Sequence, residues 1–366
     1  MVILALVSVP LATTFHKRAA ANSSVGSFPK GATTNSYVGS MSWPPPDVEI
    51  DDFDNLDGIN TNRARTLLRD ATNDGINSGV TILQKVDMRT DNSVDTGKGD
   101  VVTNIDMNMD DNKIVATDMP NGGKKIEVTI NHIFMTMTSS FNGQELRDVH
   151  YDSNTDGADL DPTFEALKKI VGHKTTIELD EHGEVVKASE HIALYKAMSS
   201  GQNADTMKKF SSQNQFNMMS RMAKALPEGD PVGPGDNWDF EMQMDKAFSG
   251  SAVLVGYKEY DNSDCAVVKL DGEINLDSNQ LNAMTNAMTE DMDQEHTEQF
   301  NQIMNGVEIK DGKMSAIFYW DYEHQLARFS KTVLTMNMSM NNPFDPSAKL
   351  DFPVIETMVV YSSIVE

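Results

Sequence analysis

The densest run of oxygen-bearing side chains is Asp152-Ser153-Asn154-Thr155-Asp156-Gly157. Alternate Asp, Asn and Asp side chains ahead of a turning glycine put several oxygens on one short loop, which is what a hard cation such as Ca²⁺ requires. Asp159 and Asp161 add carboxylates close by. The EF-hand register is broken, because it would have Glu where Thr163 stands and an apolar residue where Asp159 stands. Two readings follow. Asp152, Asn154 and Asp156 form a weak Ca²⁺ site, or the run is an Asx-rich solvated turn between a strand and a helix.

Methionine is the second pattern, with 24 in 366 residues. Met-x-Met occurs at 107/109, 135/137, 242/244 and 336/338/340, within segments that alternate like strands. A spacing of two puts each pair on one sheet face. The thioether is flexible and polarizable, so such a face can pack as ordinary core or adapt to an irregular apolar ligand. A Cu(I) site is the third reading, although no Met-x-Met has an obvious His or Cys beside it. The candidate ligand-contacting residues are Met107, Met109, Phe134, Met242, Met244, Met336 and Met338.

No catalytic pattern emerges. His132, His150, His173, His182, His191, His296 and His324 show no zinc-ligand helix spacing and no HExxH. There is no Gly-x-Ser-x-Gly elbow. Gly122-Gly123-Lys124-Lys125 lacks the remaining P-loop spacing and reads as a turn. Cys265 follows Asp261-Asn262-Ser263-Asp264 at the start of an apolar strand, a place for a buried thiol rather than a nucleophile. The chain is expected to be non-enzymatic, with no cofactor unless Ca²⁺ binds.

Composition sets the outer limits. Thirty Lys+Arg against 55 Asp+Glu leave a net charge of −25, which argues against nucleic acid as a partner. A single cysteine removes intrachain disulfides and cysteine-based metal clusters. Residues 1 to 46 hold no Asp or Glu, only Lys17, Arg18 and Lys30. Val2 to Leu11 is an apolar run too short to span a bilayer and followed by small residues, so residues 1–18 read as a secretory signal peptide. Residues 19–60 read as a disordered linker or transit-like segment ending in an acidic loop. Phe15 and the acid-free stretch after it resemble the bipartite leader of complex plastids, so secretion is the expected destination and a plastid the alternative. No transmembrane span is expected in the mature chain.

Residues 61–366 must position any site, as one α+β domain of two β-rich halves with a helical middle; a cut near residue 230 is the alternative. Alternation marks strands from Gly79, at Val101 to Met109, and over 125–138, where Ile126, Val128, Ile130 and Phe134 share a face with His132 among them. Thr175 to Leu179 and Glu184 to Ala188 flank a Gly-containing turn as a hairpin. Further strands are expected at 237–245, 251–260, 264–276, 307–322, 326–340 and 354–365. Helices are expected at 162–171, over Met207 to Leu226, and through Leu281 to Met304, from their caps and helical spacing. The expected fold is a large, curved, half-barrel-like antiparallel sheet with helices on one face.

Val149-His150-Tyr151-Asp152-Ser153, Thr163 to Leu167, Val171 to Asp180, Gly183 to Val186, Leu226-Pro227 and Val232 to Trp238 together resemble a bacterial-type family of secreted proteins and lipoproteins of unknown function. The resemblance covers most of 80 to 340 and implies no catalytic residues. By fold analogy it implies the sheet-and-helix layout of lipoprotein carriers with an unclosed barrel. The expected function is binding of an apolar or lipid-like ligand in the secretory pathway. The alternative is an acidic structural or matrix protein that binds Ca²⁺ weakly.

Overall fold

The computed structural model describes residues 57–68, 78–95, 99–155, 171–180, 185–188, 225–227, 230–242, 248–274, 308–342 and 345–365. They form thirteen strands: β1 (Thr81–Asp95), β2 (Asp100–Asp118), β3 (Lys124–Thr129), β4 (His132–Phe141), β5 (Gln144–Asp152), β6 (Lys174–Leu179), β7 (Val185–Ala188), β8 (Asn237–Met242), β9 (Phe248–Tyr260), β10 (Ser263–Ile274), β11 (Glu308–Asp321), β12 (Leu326–Asn342) and β13 (Asp345–Val365). All pair antiparallel in one open sheet of order β7-β6-β3-β2-β1-β13-β12-β11-β10-β9-β8, with β4 beside β2 and β5 beside β4. The expected α+β class is therefore corrected: among the described residues the protein is all β, and no helix lies on a face of the sheet. The last strand runs further than the sequence reading allowed: β13 spans 21 residues, Asp345–Val365, against the expected 354–365. The expected helices at 162–171, 207–226 and 281–304 fall largely outside the described residues. No described helix is long and apolar enough to cross a membrane, which says nothing of a β-barrel.

In the middle of the order, β1 pairs β2 on one side and β13 on the other. The long β2 then shares its far edge between two strands, pairing β4 through residues 101–110 and β3 through 113–118. The change of partner coincides with a bulge, where Lys85 of β1 faces an extra residue of β2 and Asp111 adopts φ 56°. Asn131 donates from Nδ2 to the Asp111 carbonyl at 2.6 Å, tying the opposite strand to that point.

This bulge corrects the reading of 125–138 as one strand with one face. Val128 opposes Ile114 and Ile133 opposes Met109, so the inward parity changes from even to odd across Ile130-Asn131. Ile126 and Ile133 are buried, whereas Phe134 turns to the other face and is 40% exposed. His132 moves with Phe134. Alternation along one chain cannot register a bulge in its neighbour, so a sequence pattern carries the wrong face past it.

The largest core lies over β8–β13 on one face, built from Leu254, Val268, Phe318, Trp320, Leu334, Met336, Met338 and Phe352 among others. Tyr260, Tyr319, Phe329 and Tyr361 pack with Cys265 on the opposite face, with ring centroids 5.0 Å apart for Tyr319 and Phe329. Burial pushes the Cys265 thiol up to about 12, which makes it the inert residue its sequence position suggested. The 57–68 segment clamps this half: Asn60 bridges Tyr257, Thr66 bridges Val232, and Trp320 Nε1 donates to the Leu68 carbonyl at 2.7 Å. Gly256 is required beneath it, because a Cβ would stand 2.4 Å from Ile59.

Candidate functional site

The strand registers place four methionines in one row. Met135 of β4 opposes Met107 of β2, Met107 opposes Met88 of β1, and Met88 opposes Met358 of β13. Tyr151 of β5 ends the row beyond Met135. Ile133, Met109 and Val86 form the row on one side; Met137, Ile105 and Thr90 form the row on the other. Met88, Met107, Met109 and Met135 are half-buried, in contrast to Phe318 and Leu254 of the main core at 0% exposure. Met107, Met109 and Met135 pack around buried Ile133 and Tyr151 as a separate small cluster.

Polar groups interrupt this apolar face in an ordered way. Ser139, Thr103 and Asn92 lie in one cross-strand row, with Arg147 beyond Ser139. Glu356 of β13 opposes Thr90 one row nearer the methionines. All but Arg147 are buried, and Glu356 is 0% exposed. Thr103 Oγ1, Ser139 Oγ and both carboxyl oxygens of Glu356 have no hydrogen-bond partner among the described residues. Burial pushes the Glu356 carboxyl above the ordinary glutamate range, because taking charge out of water disfavours the ionised form.

Of the residues singled out from sequence, Met107 and Met109 belong to this face. Met336 and Met338 share it but sit in the main core at 0% and 1% exposure, as packing residues. Phe134 is on the opposite face. Met242 ends β8 with its side chain outside the described residues, and Met244 lies outside them altogether. Met88 and Met358 were missed because neither belongs to a Met-x-Met pair; only strand pairing brings them into the row. Glu356 was missed because one acid in an apolar strand looks unremarkable in so acidic a chain.

The opposite face of the same strands is charged. Lys85 Nζ stands 3.4 Å from Asp87 and 3.9 Å from Asp110, and His132 Nε2 is 3.0 Å from Asp152. Burial pushes the Asp87 carboxyl up although Lys85 pulls it down. For Asp152 the balance reverses: burial alone would raise it, but the Asn154 N–H at 2.8 Å and His132 hold it below its usual range. Asp152 thus caps an Asx turn at the end of β5, with the Thr155 N–H donating to its carbonyl. Asp156 lies outside the described residues, so Asp152 and Asn154 are the described part of the expected Ca²⁺ loop. No group of three or more His, Cys, Asp or Glu among the described residues is placed to hold a metal.

Among the motif residues that resembled a secreted-protein family, Val232 to Asp236 shape the turn before β8. Gly233 N–H donates to Asp236 at 2.9 Å, Gly235 sits at φ 89°, and Arg65 pairs Asp236 at 2.7 Å. The family of unknown function DUF6263 matches residues 121–308. No curated protein matches the chain. Solved structures with some likeness include lipovitellin, in a study of lipid–protein interactions, at 8% identity and TM-score 0.39, covering 79% of this chain and 26% of that one. This chain thus spans about a quarter of the lipovitellin chain it matches. An outer membrane lipoprotein-sorting protein domain from Vibrio parahaemolyticus, described as such only provisionally, aligns at 8% identity and TM-score 0.15, covering 79% of this chain and 86% of that one. A DUF1329 family protein from Desulfovibrio piger ATCC 29098 gives 8% and 0.12, covering 76% and 83%.

Proposed function

Because the chain belongs to the family of unknown function DUF6263, its activity has to be argued from its own residues, and we propose that it binds an apolar, lipid-like ligand without catalysing a reaction on it. The observation that carries this reading is the methionine row of β4, β2, β1 and β13, half-buried at Met135, Met107 and Met88 and closed by buried Met358. Unbranched thioether chains adapt to irregular apolar surfaces at little strain, which suits a face that must accept a flexible chain. Covering the accessible halves of Met88, Met107 and Met135 yields roughly 2–4 kcal/mol before the cost of association. Binding therefore needs further contacts from the rows on either side. Native mass spectrometry of the purified full chain, followed by solvent extraction, tests the proposal. A bound apolar molecule lost in Met107→Lys, with the β spectrum retained, is expected. Protein free of ligand that also takes up no long-chain probe would overturn it.

A further inference from the structure

We infer that the half-buried thioethers of Met88, Met107 and Met135 are a site of modification by peroxide, and that their conversion to sulfoxides releases the apolar ligand. The release step rests on the apolar-ligand reading; the modification rests on the exposure of these side chains alone.

Exposure divides the methionines of this sheet. Met88, Met107 and Met135 are half-buried and oppose one another across β1, β2 and β4, with half-buried Met109 in the next row. Met336 and Met338 are 0% and 1% exposed, and Met137, Met314 and Met358 are at 8% or less. A peroxide oxygen has to touch the sulfur to react, so an oxidant in water meets the row before the core. A thiol is the usual competitor for peroxide. The chain's one cysteine, Cys265, is 0% exposed and held protonated by burial among aromatic rings. The thioethers of the row are therefore the sulfurs open to attack on this face.

The step asks for no acid or base from the protein. A sulfur lone pair attacks one oxygen of a hydroperoxide. The S–O bond forms as the O–O bond breaks, and the departing oxygen takes the proton given up by the transferred one. It leaves as water, or as an alcohol from an organic hydroperoxide. Sulfur loses two electrons and the peroxide gains them. The product is a polar sulfoxide where a flexible apolar side chain stood. Opposed residues on one sheet face have Cβ atoms about 4.5–5.5 Å apart, so three sulfoxides make one hydrated patch across the row. A ligand could lie there only by stripping that water, which costs it affinity. Phe318, Trp320 and Met336 keep the other half packed, so release does not need unfolding. Sulfoxide reductases reverse the reaction, and binding returns with the thioether.

The test treats the full chain with hydrogen peroxide at neutral pH, quenches it, and reads both peptide masses and the affinity of a fluorescent long-chain probe. Met88, Met107 and Met135 are expected to gain an oxygen about tenfold or more faster than Met336 and Met338. Probe affinity is expected to fall about tenfold or more, with the far-UV spectrum retained, and to recover after methionine sulfoxide reductase. The triple variant Met88→Leu, Met107→Leu and Met135→Leu conserves volume and should bind the probe but keep its affinity through peroxide. Met119→Leu, at a half-buried methionine in the β2–β3 connection, should lose affinity as wild type does. Oxidation of the row no faster than that of Met336 and Met338 would overturn the modification site. Equal loss in the Leu triple variant would overturn the release step while leaving an apolar site. An untreated chain that binds no probe would overturn the apolar reading and the release step together, and the oxidation rates would still decide the modification site.

Discussion

The β9–β12 half of the sheet and the β4–β2–β1–β13 half share one continuous face but finish it differently. Phe318 and Trp320 stack edge-to-face at 6.5 Å in the first half, and Leu68 at 0% exposure closes over them. In the second half the same face carries half-buried methionines, and buried polar groups occupy the rows beside them. Rigid, sealed packing gives the first half its stability; in the second half the adaptable methionines are the feature on which the proposed ligand binding rests.

The sharpest way to break this comparison is to truncate one large side chain in each half. Trp320→Ala removes a 2% exposed ring whose Nε1 also holds the Leu68 carbonyl. It should cost about 3–5 kcal/mol, read as a lower urea midpoint. Met107→Ala, half-buried, should cost only about 1 kcal/mol. Equal losses would mean that the methionine half is ordinary core. The triple variant Met88→Ala, Met107→Ala and Met135→Ala should lose roughly 2–4 kcal/mol of ligand affinity, about 30- to 1,000-fold in Kd, with its far-UV spectrum unchanged.

Glu356→Gln sharpens the comparison through pH. The folded-state carboxyl is raised above its ordinary value of 4.5 by burial. The unfolded chain therefore releases its proton first as pH rises, and folding stability falls from about 4.5 upward until the raised value is passed. Gln cannot ionise, so the variant should match wild type near pH 4 and melt at a higher temperature at pH 8. Parallel Tm profiles would show that Glu356 does not sit uncharged in the apolar face.

The late strands were legible as apolar runs rich in β-branched and aromatic residues: 251–260, 264–276 and 307–322 lie within a few residues of β9, β10 and β11. The Thr175 hairpin was also legible, as β6 and β7. What sequence could not carry was pairing. The break at Ile130-Asn131 needs the Asp111 bulge on another strand, and the row through Met88 and Met358 needs partners 270 positions apart. The alternation signal marks a face; only register says which residues meet on it.

The smallest expected effect lies on the charged back of the binding half, in Asp152→Asn. Asp152 accepts from the Asn154 N–H at 2.8 Å and faces His132 Nε2 at 3.0 Å, with the pair about a quarter to a third exposed. Its carboxyl is held below the ordinary 3.8, so the stability it contributes is present above that value and is lost as pH falls through the depressed one. Solvent screening keeps such a partly exposed pair to about 0–1 kcal/mol. Asn retains an oxygen for the Asx turn, which isolates the charge from the cap. The variant should therefore lower Tm by a degree or two at pH 7, less at 0.5 M salt, and leave ligand affinity within about twofold. A large loss of ligand affinity would couple the two faces of the sheet and remove the division between a charged back and an apolar binding front.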